Sequence, residues 1–291
     1  MTNYYHTLKA DPQNFKQFSF RELLFLHYDC PVEEQKSDIW SSHSYFIYGI
    51  SGKKVWHTPN NSWALTAGNA MFVKPGACIV EQFFAEPFCV LAFFLPDSYI
   101  KNFVRENSAL LRVTVKPSYS SELVIPVKTD AVMATFYNSV LPYFEMESAP
   151  PEQLLELKFR ELLLNIITNP ANVGLVNYMH ILAESSITLK EVMECNFSYN
   201  LRLEEFALLC QRSLSSFKRD FVATFLTTPG RWLTERRLEY AHQLLKKNNL
   251  SIRDIAFECG FENSTHFSRV FKQKFGYSPM VCKKQVFMEN S

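Results

Sequence analysis

Between Phe18 and Phe94 apolar residues arrive in short bursts: "SYFIYGI", "KKVWHT", "SWALTA", "AMFVKP", "ACIVEQFF" and "FCVLAFFL". Aromatic and β-branched side chains dominate them, and Ser51-Gly52, Asn60-Asn61, Gly68 and Pro75-Gly76 separate them. Short strands with that punctuation predict an antiparallel barrel or sandwich. The period then changes. In "PEQLLELKFRELLLNIIT", Leu155, Phe159, Leu162 and Ile166 recur at i, i+4, i+7 and i+11, the apolar stripe of a helix. Leu154, Leu157, Leu163 and Ile167 make the stripe wide. Two surfaces suit it: the barrel of the same chain, or a second subunit, in which case those first four residues form the heart of a homodimer contact. From Leu189 the pattern is helical throughout, and the polar stretch "AESSITLK" reads as the link. The fold class expected is α+β. A cupin-like β-barrel with a helical dimerisation segment occupies residues 1–184, and an all-α domain occupies residues 185–291.

The helical part contains a repeat. "SIRDIAFECGFENSTHFSRVFKQKFGYSP" has a looser copy upstream in "LRLEEFALLCQRSLSSFKRDFVATFLTTP". Ala207 aligns on Ala256 and Cys210 on Cys259; after one inserted residue Phe217 aligns on Phe267, Phe221 on Phe271 and Pro229 on Pro279. Each copy reads as helix, tight turn and second helix. Ser251 with Asp254 fits a variant capping box, Gly260 supplies the left-handed turn, and Asn263 or Ser264 caps the next helix. Phe267, Val270 and Phe271 form that helix's buried side; Thr265, His266, Ser268, Arg269 and Lys272 form its open side. In the first copy Ser213 is the cap, Leu214, Phe217 and Phe221 face inward, and Ser215, Ser216, Lys218 and Arg219 face out. Between the copies, "TPGRWLTERRLEYAHQLLKKNN" predicts a helix capped by Thr228, with Pro229 at its first position and its end near Lys247.

A short helix with small polar and basic residues on its free side suits the major groove. Arg and Lys reach guanine O6 and N7 there, and Ser or Thr serve bases or phosphates. Two such helices on one rigid connector would enter successive groove segments, roughly 34 Å apart. Charge points the same way. From Ser185 onward there are 16 Lys+Arg against 11 Asp+Glu, a balance of +5; the remainder has 14 against 18, or −4. A basic rear part beside an acidic front part fits a nucleic-acid partner for the rear. The competing readings are a helical bundle that acts as a protein-binding adaptor, and a cupin-type metal enzyme with an accessory helical domain.

"IRDIAFECGFENSTHFSRVFKQKFGYSP" resembles the signature of the AraC/XylS family of bacterial transcription regulators, I-x-D-I-A-x-x-x-G-F-x-x-x-x-x-F-x-R-x-F-K-x-x-F-G-x-[ST]-P. Every fixed position is present, and with "ERRLEYAHQLL" the likeness covers about a hundred residues. It implies a seven-helix domain with two helix-turn-helix units, binding of double-stranded DNA, work with RNA polymerase, and activation more than repression. Carried over by motif position, DNA contacts fall on Ser215, Lys218 and Arg219, then on Ser264, Thr265, His266 and Arg269. The first copy departs from the family pattern at Gln211, in place of the turn glycine, and at Leu226, where a glycine usually follows the last phenylalanine.

The stretch "GISGKKVW…WALTAGNAMFVKPGACI" resembles the cupin-like sensing barrel of such regulators. With "LKFRELLLNIITNP" it also resembles the front domain of ExsA-type activators, which implies self-association and capture by a regulatory protein. The alternative partner is a small-molecule effector held by Tyr45, Tyr48, Trp56, Trp63 or Phe72. No metal and no cofactor are expected: His43 and His57 lie in strand territory without the H-x-H spacing that brings two imidazoles to one side. No phosphate-cradling glycine loop, nucleophile elbow or HExxH helix occurs, so no catalytic residue is assigned. The start, "MTNYYHTLKADPQ", does not read as a signal peptide, and "FCVLAFFLP" is too short to span a bilayer. Seven cysteines without CxxC pairing fit a reducing cytoplasm.

Overall fold

The computed structural model describes residues 1–29, 35–111, 122–146, 148–184, 188–247 and 250–289. The chain divides into two compact units, Met1–Ile187 and Thr188–Ser291. Part of the link read from "AESSITLK", residues 185–187, lies outside the described residues. Among the described residues no helix is long and apolar enough to cross a membrane.

The front unit holds the strands β1 (Thr2–Asn3), β2 (Lys16–Phe20), β3 (Leu23–Asp29), β4 (Lys36–Ser41), β5 (Ser44–Ser51) and β6 (Lys53–His57). Next come β7 (Ser62–Thr66), β8 (Ala70–Val73), β9 (Gly76–Gln82), β10 (Cys89–Leu95) and β11 (Val124–Val127). Its helices are α1 (Tyr4–Ala10), α2 (Asp97–Glu106), α3 (Ala131–Val140), α4 (Glu152–Thr168) and α5 (Val173–Glu184). Among the described residues the strands make two sheets and no closed barrel, with orders β1-β4-β9-β6-β7 and β11-β8-β5-β10-β3-β2. Among the described residues the sheets meet at an isolated bridge, Gly49 to Ala67. A side chain on Gly49 would press its Cβ to 2.5 Å from the Thr66 carbonyl oxygen, so this junction admits glycine alone.

The six-stranded sheet is covered on both sides, which explains the unbroken apolar run of β10. Val90, Ala92 and Phe94 point toward the other sheet, while Leu91, Phe93 and Leu95 point toward the helices. A strand buried on both faces carries no polar alternation. The short hydrophobic stretch thus belongs to the centre of the front unit's core.

The stripe of α4, from which Leu157 stands out exposed, closes that second side. Leu155, Phe159, Leu162 and Ile166 are 3%, 0%, 0% and 0% exposed within their own chain. The Phe159 ring lies 4.4 Å from that of Phe25 and 6.2 Å from that of Phe93. These four residues therefore cannot form a seam between subunits, and the dimerisation reading of the stripe is corrected. Periodicity reported an apolar helix face; the sheet is what covers it. Of the two histidines expected in strands, His57 is in one and His43 is not. His43 sits in the turn between β4 and β5, stacked on Tyr5 at 3.8 Å, and burial holds its imidazole down at about 4. His57 ends β6, its Nδ1 2.8 Å from Ser62 Oγ and its Nε2 3.0 Å from Glu81.

Replacing Leu162 with Ala should cost the front unit about 2–5 kcal/mol. Leu162→Asp, which a subunit seam would survive as a folded monomer, should instead leave the front unit unfolded. Chemical denaturation and light scattering check both; a folded, monomeric Leu162→Asp protein would reinstate the seam.

Candidate nucleic-acid interface

The rear unit contains α6 (Leu189–Asn196), α7 (Leu203–Leu209), α8 (Leu214–Phe225), α9 (Pro229–Lys247), α10 (Ile252–Glu258), α11 (Ser264–Phe275) and α12 (Pro279–Glu289). Thr188 opens it with a capping box: its hydroxyl accepts from Glu191 N at 3.2 Å and its own N–H donates to the Glu191 carboxylate at 2.7 Å.

The repeat is present in the backbone itself. In the first pair, α7 and α8, Arg212 N donates to Ala207 O at 2.9 Å and Gln211 N to Leu208 O at 2.9 Å. In the second, α10 and α11, Phe261 N donates to Ala256 O at 3.0 Å and Gly260 N to Phe257 O at 2.9 Å. A left-handed residue sits in each turn, Gln211 at φ 54° and Gly260 at φ 80°. The same happens after the second helices, where Leu226 stands at φ 55° and Gly276 at φ 83°. Both departures from the family's glycines thus keep the glycine conformation, against a steric cost of about 1–2 kcal/mol per residue. The first turn is one residue shorter, because Ser213 caps α8 two residues after Gln211 while Asn263 caps α11 three after Gly260.

Caps and cores position the open sides. Ser213 Oγ accepts from Ser216 N at 3.2 Å; Asn263 Oδ1 accepts from Thr265 N at 2.7 Å and from His266 N at 3.2 Å. Asn263, not Ser264, is therefore the second cap. Behind the open sides run two matching phenylalanine rows. Ring centroids are 5.7 and 4.4 Å apart along Phe217, Phe221 and Phe225. Along Phe267, Phe271 and Phe275 they are 5.5 and 4.6 Å apart. The connector α9 packs on both rows, with Trp232 at 5.2 Å from Phe225 and His242 stacked at 4.6 Å on Phe275. Its nineteen residues make a rod of about 28 Å.

With the aromatic rows turned inward, Ser215, Lys218 and Arg219 of α8 stand exposed, as do Thr265, His266 and Arg269 of α11; Ser264 is half-buried. Arg219 Nε lies 3.0 Å from Asp220, whose other oxygen is 3.6 Å from Arg212. This surface pair is weak and leaves Arg219 able to exchange partners. Among the described residues, Lys218 and Arg269 have no ion-pair partner. The matched cysteines offer no chemistry: burial pushes the Cys210 thiol up to about 12 and raises that of Cys259 further, so both are packing groups. Among the described residues there is no cluster of three or more His, Cys, Asp or Glu fit to hold a metal.

One residue that sequence reading passed over holds the unit together. Arg237 of α9 donates from Nε to Phe197 O at 2.7 Å, from one terminal nitrogen to Tyr199 O at 2.8 Å, and from the other to Gly260 O at 3.0 Å. Burial lowers its pKa from the ordinary arginine value, yet it remains a cation. The signal was available: Leu233, Arg237 and Ala241 fall at i, i+4 and i+8, so a charge occupies the buried stripe of α9. Gly260 completes the joint, since a Cβ there would meet Ser198 O at 2.7 Å and Arg237 Nε at 3.0 Å.

A model of the ExsA N-terminal regulatory domain matches residues 44–178, and a helix-turn-helix domain model matches residues 209–285. The thermoregulatory protein LcrF of Yersinia pestis is 27% identical over 235 residues, 80% of this chain and 86% of LcrF. The HTH-type transcriptional regulator ExsA of Pseudomonas aeruginosa is 24% identical over 268 residues, 92% of this chain and 94% of ExsA. The chain is an AraC-type transcription regulator. Among solved structures, ToxT from Vibrio cholerae aligns over 92% of this chain and 99% of its own, at 14% identity and a TM-score of 0.40. In AraC-type terms α8 and α11 are the second helices of the two helix-turn-helix units, and α9 is the element that joins them.

Leu226 is 89% exposed and so loses little packing on truncation. Leu226→Gly should stabilise the rear unit by about 1 kcal/mol through relief of the left-handed strain, while Leu226→Ala should gain nothing. Arg237→Ala should cost about 3 kcal/mol, because three carbonyls lose a charged donor at once. Urea midpoints of the three variants test both statements.

Proposed function

We infer that this AraC-type regulator activates transcription in the cytoplasm by reading two major-groove segments of double-stranded DNA with α8 and α11. The observation that carries this is the backbone repeat. A left-handed turn, a side-chain cap and a phenylalanine row, each occurring twice, present polar and basic side chains along one rigid connector. Base or groove contacts are assigned to Ser215, Lys218 and Arg219 in the first unit, and to Ser264, Thr265, His266 and Arg269 in the second. Activation, and with it contact to RNA polymerase, is supported by relatives such as the virulence regulon transcriptional activator VirF of Yersinia enterocolitica, 27% identical over 235 residues. The chain is read as a regulator and not an enzyme: its polar residues of note serve as caps, turn supports and groove-facing donors.

The front unit is assigned the regulatory part, as the ExsA-type match over residues 44–178 suggests. Its controller is either a small effector or a protein partner. Homodimerisation, which the family likeness implies, would draw on surfaces other than the α4 stripe. A second, less specific role for the rear unit follows from its basic balance: phosphate contacts that position the protein without reading sequence.

Arg269→Ala should weaken binding to the cognate site by about 1–3 kcal/mol while hardly altering affinity for unrelated duplex. Equal losses on both DNAs would reassign Arg269 to a phosphate. Fluorescence anisotropy at several salt concentrations makes the distinction, and an absence of salt-dependent duplex binding by the intact protein would overturn the reading.

A further inference from the structure

The two reading helices differ in what stands beside their shared arginine. On α8 the Asp220 carboxylate accepts from Arg219 Nε at 3.0 Å, and its other oxygen lies 3.6 Å from a terminal nitrogen of Arg212 in the preceding turn. On α11 the corresponding residues are Arg269 and Val270, so the second unit has no carboxylate at that place. The turns differ in the same sense. Arg212 N and Phe261 N make matching turn hydrogen bonds, to Ala207 O and Ala256 O. Phe261 is 6% exposed with its ring 5.1 Å from that of Phe267, whereas Arg212 turns to the Asp220 carboxylate.

Stability does not call for this arrangement. The second unit forms its helix-turn-helix with valine in that position, and an ion pair whose side chains are 76% and 33% exposed contributes little. Its effect on geometry is larger. The bond to Asp220 engages Arg219 Nε and leaves the two terminal nitrogens at the tip of the side chain. Those two nitrogens are the donors that can span guanine O6 and N7. Asp220, two-thirds buried and approached from the turn by Arg212, is a fixed point against which the long Arg219 side chain is braced. The charge of Asp220 acts as well. A phosphate drawn to Arg219 also meets the carboxylate beside it and is repelled, whereas the neutral edge of a base is not.

We propose that Asp220 is a positioning residue for base reading by the first unit: it braces Arg219 with both terminal nitrogens forward, and so directs that arginine to guanine and away from phosphate. This role rests on the reading of α8 as a DNA-facing helix given above. It accounts for a carboxylate on α8, whose other charged residues are Lys218 and Arg219. An acid in that company otherwise only weakens attraction to the phosphate backbone. The two units thereby differ in kind, the first reading with a braced arginine and the second with one that has an apolar neighbour.

The experiment uses the full-length protein and a pool of duplexes with a randomised centre long enough for both readers. Sequences selected by the parent, Arg219→Ala, Asp220→Asn and the double variant are compared, and affinities are then measured on the best selected duplex and on an unrelated one. Arg219→Ala identifies the guanine read by the first unit as the position whose preference disappears. At that position Asp220→Asn should lower the preference for guanine by about tenfold. Affinity of Asp220→Asn for the unrelated duplex should rise about threefold, with a salt slope steeper by about one. In the Arg219→Ala background Asp220→Asn should leave the ratio of selected to unrelated affinity unchanged, because the carboxylate acts through the arginine. Both single variants should melt within a few degrees of the parent. Unchanged guanine preference in Asp220→Asn, or a further fall in that ratio without Arg219, would overturn the proposal. So would an Asp220→Asn protein that melts far below the parent, which would make the pair a strap of the fold. Selection of no sequence by the parent itself strikes the DNA-reading assignment. A parent that selects a two-part site without a guanine dependent on Arg219 keeps that assignment and removes this role of Asp220.

Discussion

The rear unit depends on a single guanidinium. Arg237 reaches the loop after α6 at Phe197 and Tyr199 and the turn of the second helix-turn-helix at Gly260, so three carbonyls from two separate stretches of backbone meet on one cation. Tyr199 O also accepts from Leu201 N at 2.8 Å; the guanidinium adds a charged donor to all three carbonyls. A lysine could satisfy one or two of them; the planar fork satisfies all three in fixed directions. The angle of α11 on its connector therefore follows from hydrogen-bond geometry as well as from hydrophobic packing. The phenylalanine rows supply the cohesion, and Arg237 supplies the orientation.

The two reading units share a plan but not a tolerance. The second uses glycine at both left-handed positions, whereas the first uses Gln211 and Leu226 in the same conformation. Conservation of shape without the residues that make it easy means that tertiary packing imposes the turn. Phe217 and Phe221 are fully buried beneath α8, and their burial offsets the strain beside them. The shorter turn before Ser213 adds to the difference. The first unit is accordingly the more strained of the two readers.

Much of this was legible in the sequence, and the gaps have physical causes. Strand punctuation by Gly52, Gly68 and Pro75 marked the sheets, and the Ser251, Ser213 and Pro229 signals marked helix starts. Local chemistry fixes such features, so local sequence reports them. The α4 stripe failed differently: Leu155, Phe159, Leu162 and Ile166 announce a buried face, but periodicity is blind to what buries it. Helix α1 escaped notice because seven residues carry too little periodicity, and Arg237 because a charge in an apolar stripe reads as surface until its three acceptors, distant in sequence, are seen. The exposed DNA-facing candidates were visible for the opposite reason. The caps and the phenylalanine spacing that set which side of each helix is open lie within a few residues of each.

The continuous helix between the two readers also sets a rule for change. Trp232 and His242 fasten α9 to the first and second phenylalanine rows, ten residues apart on one helix. Every residue of an α-helix advances about 1.5 Å and turns about 100°. Substitutions on its exposed side leave the relative phase of the readers untouched. A one-residue insertion between the two anchors would swing one reader around the other by more than a quarter turn. Drift by substitution is open to this segment, while change in its length is closed, so the spacing of the two half-recognitions is inherited as a fixed quantity.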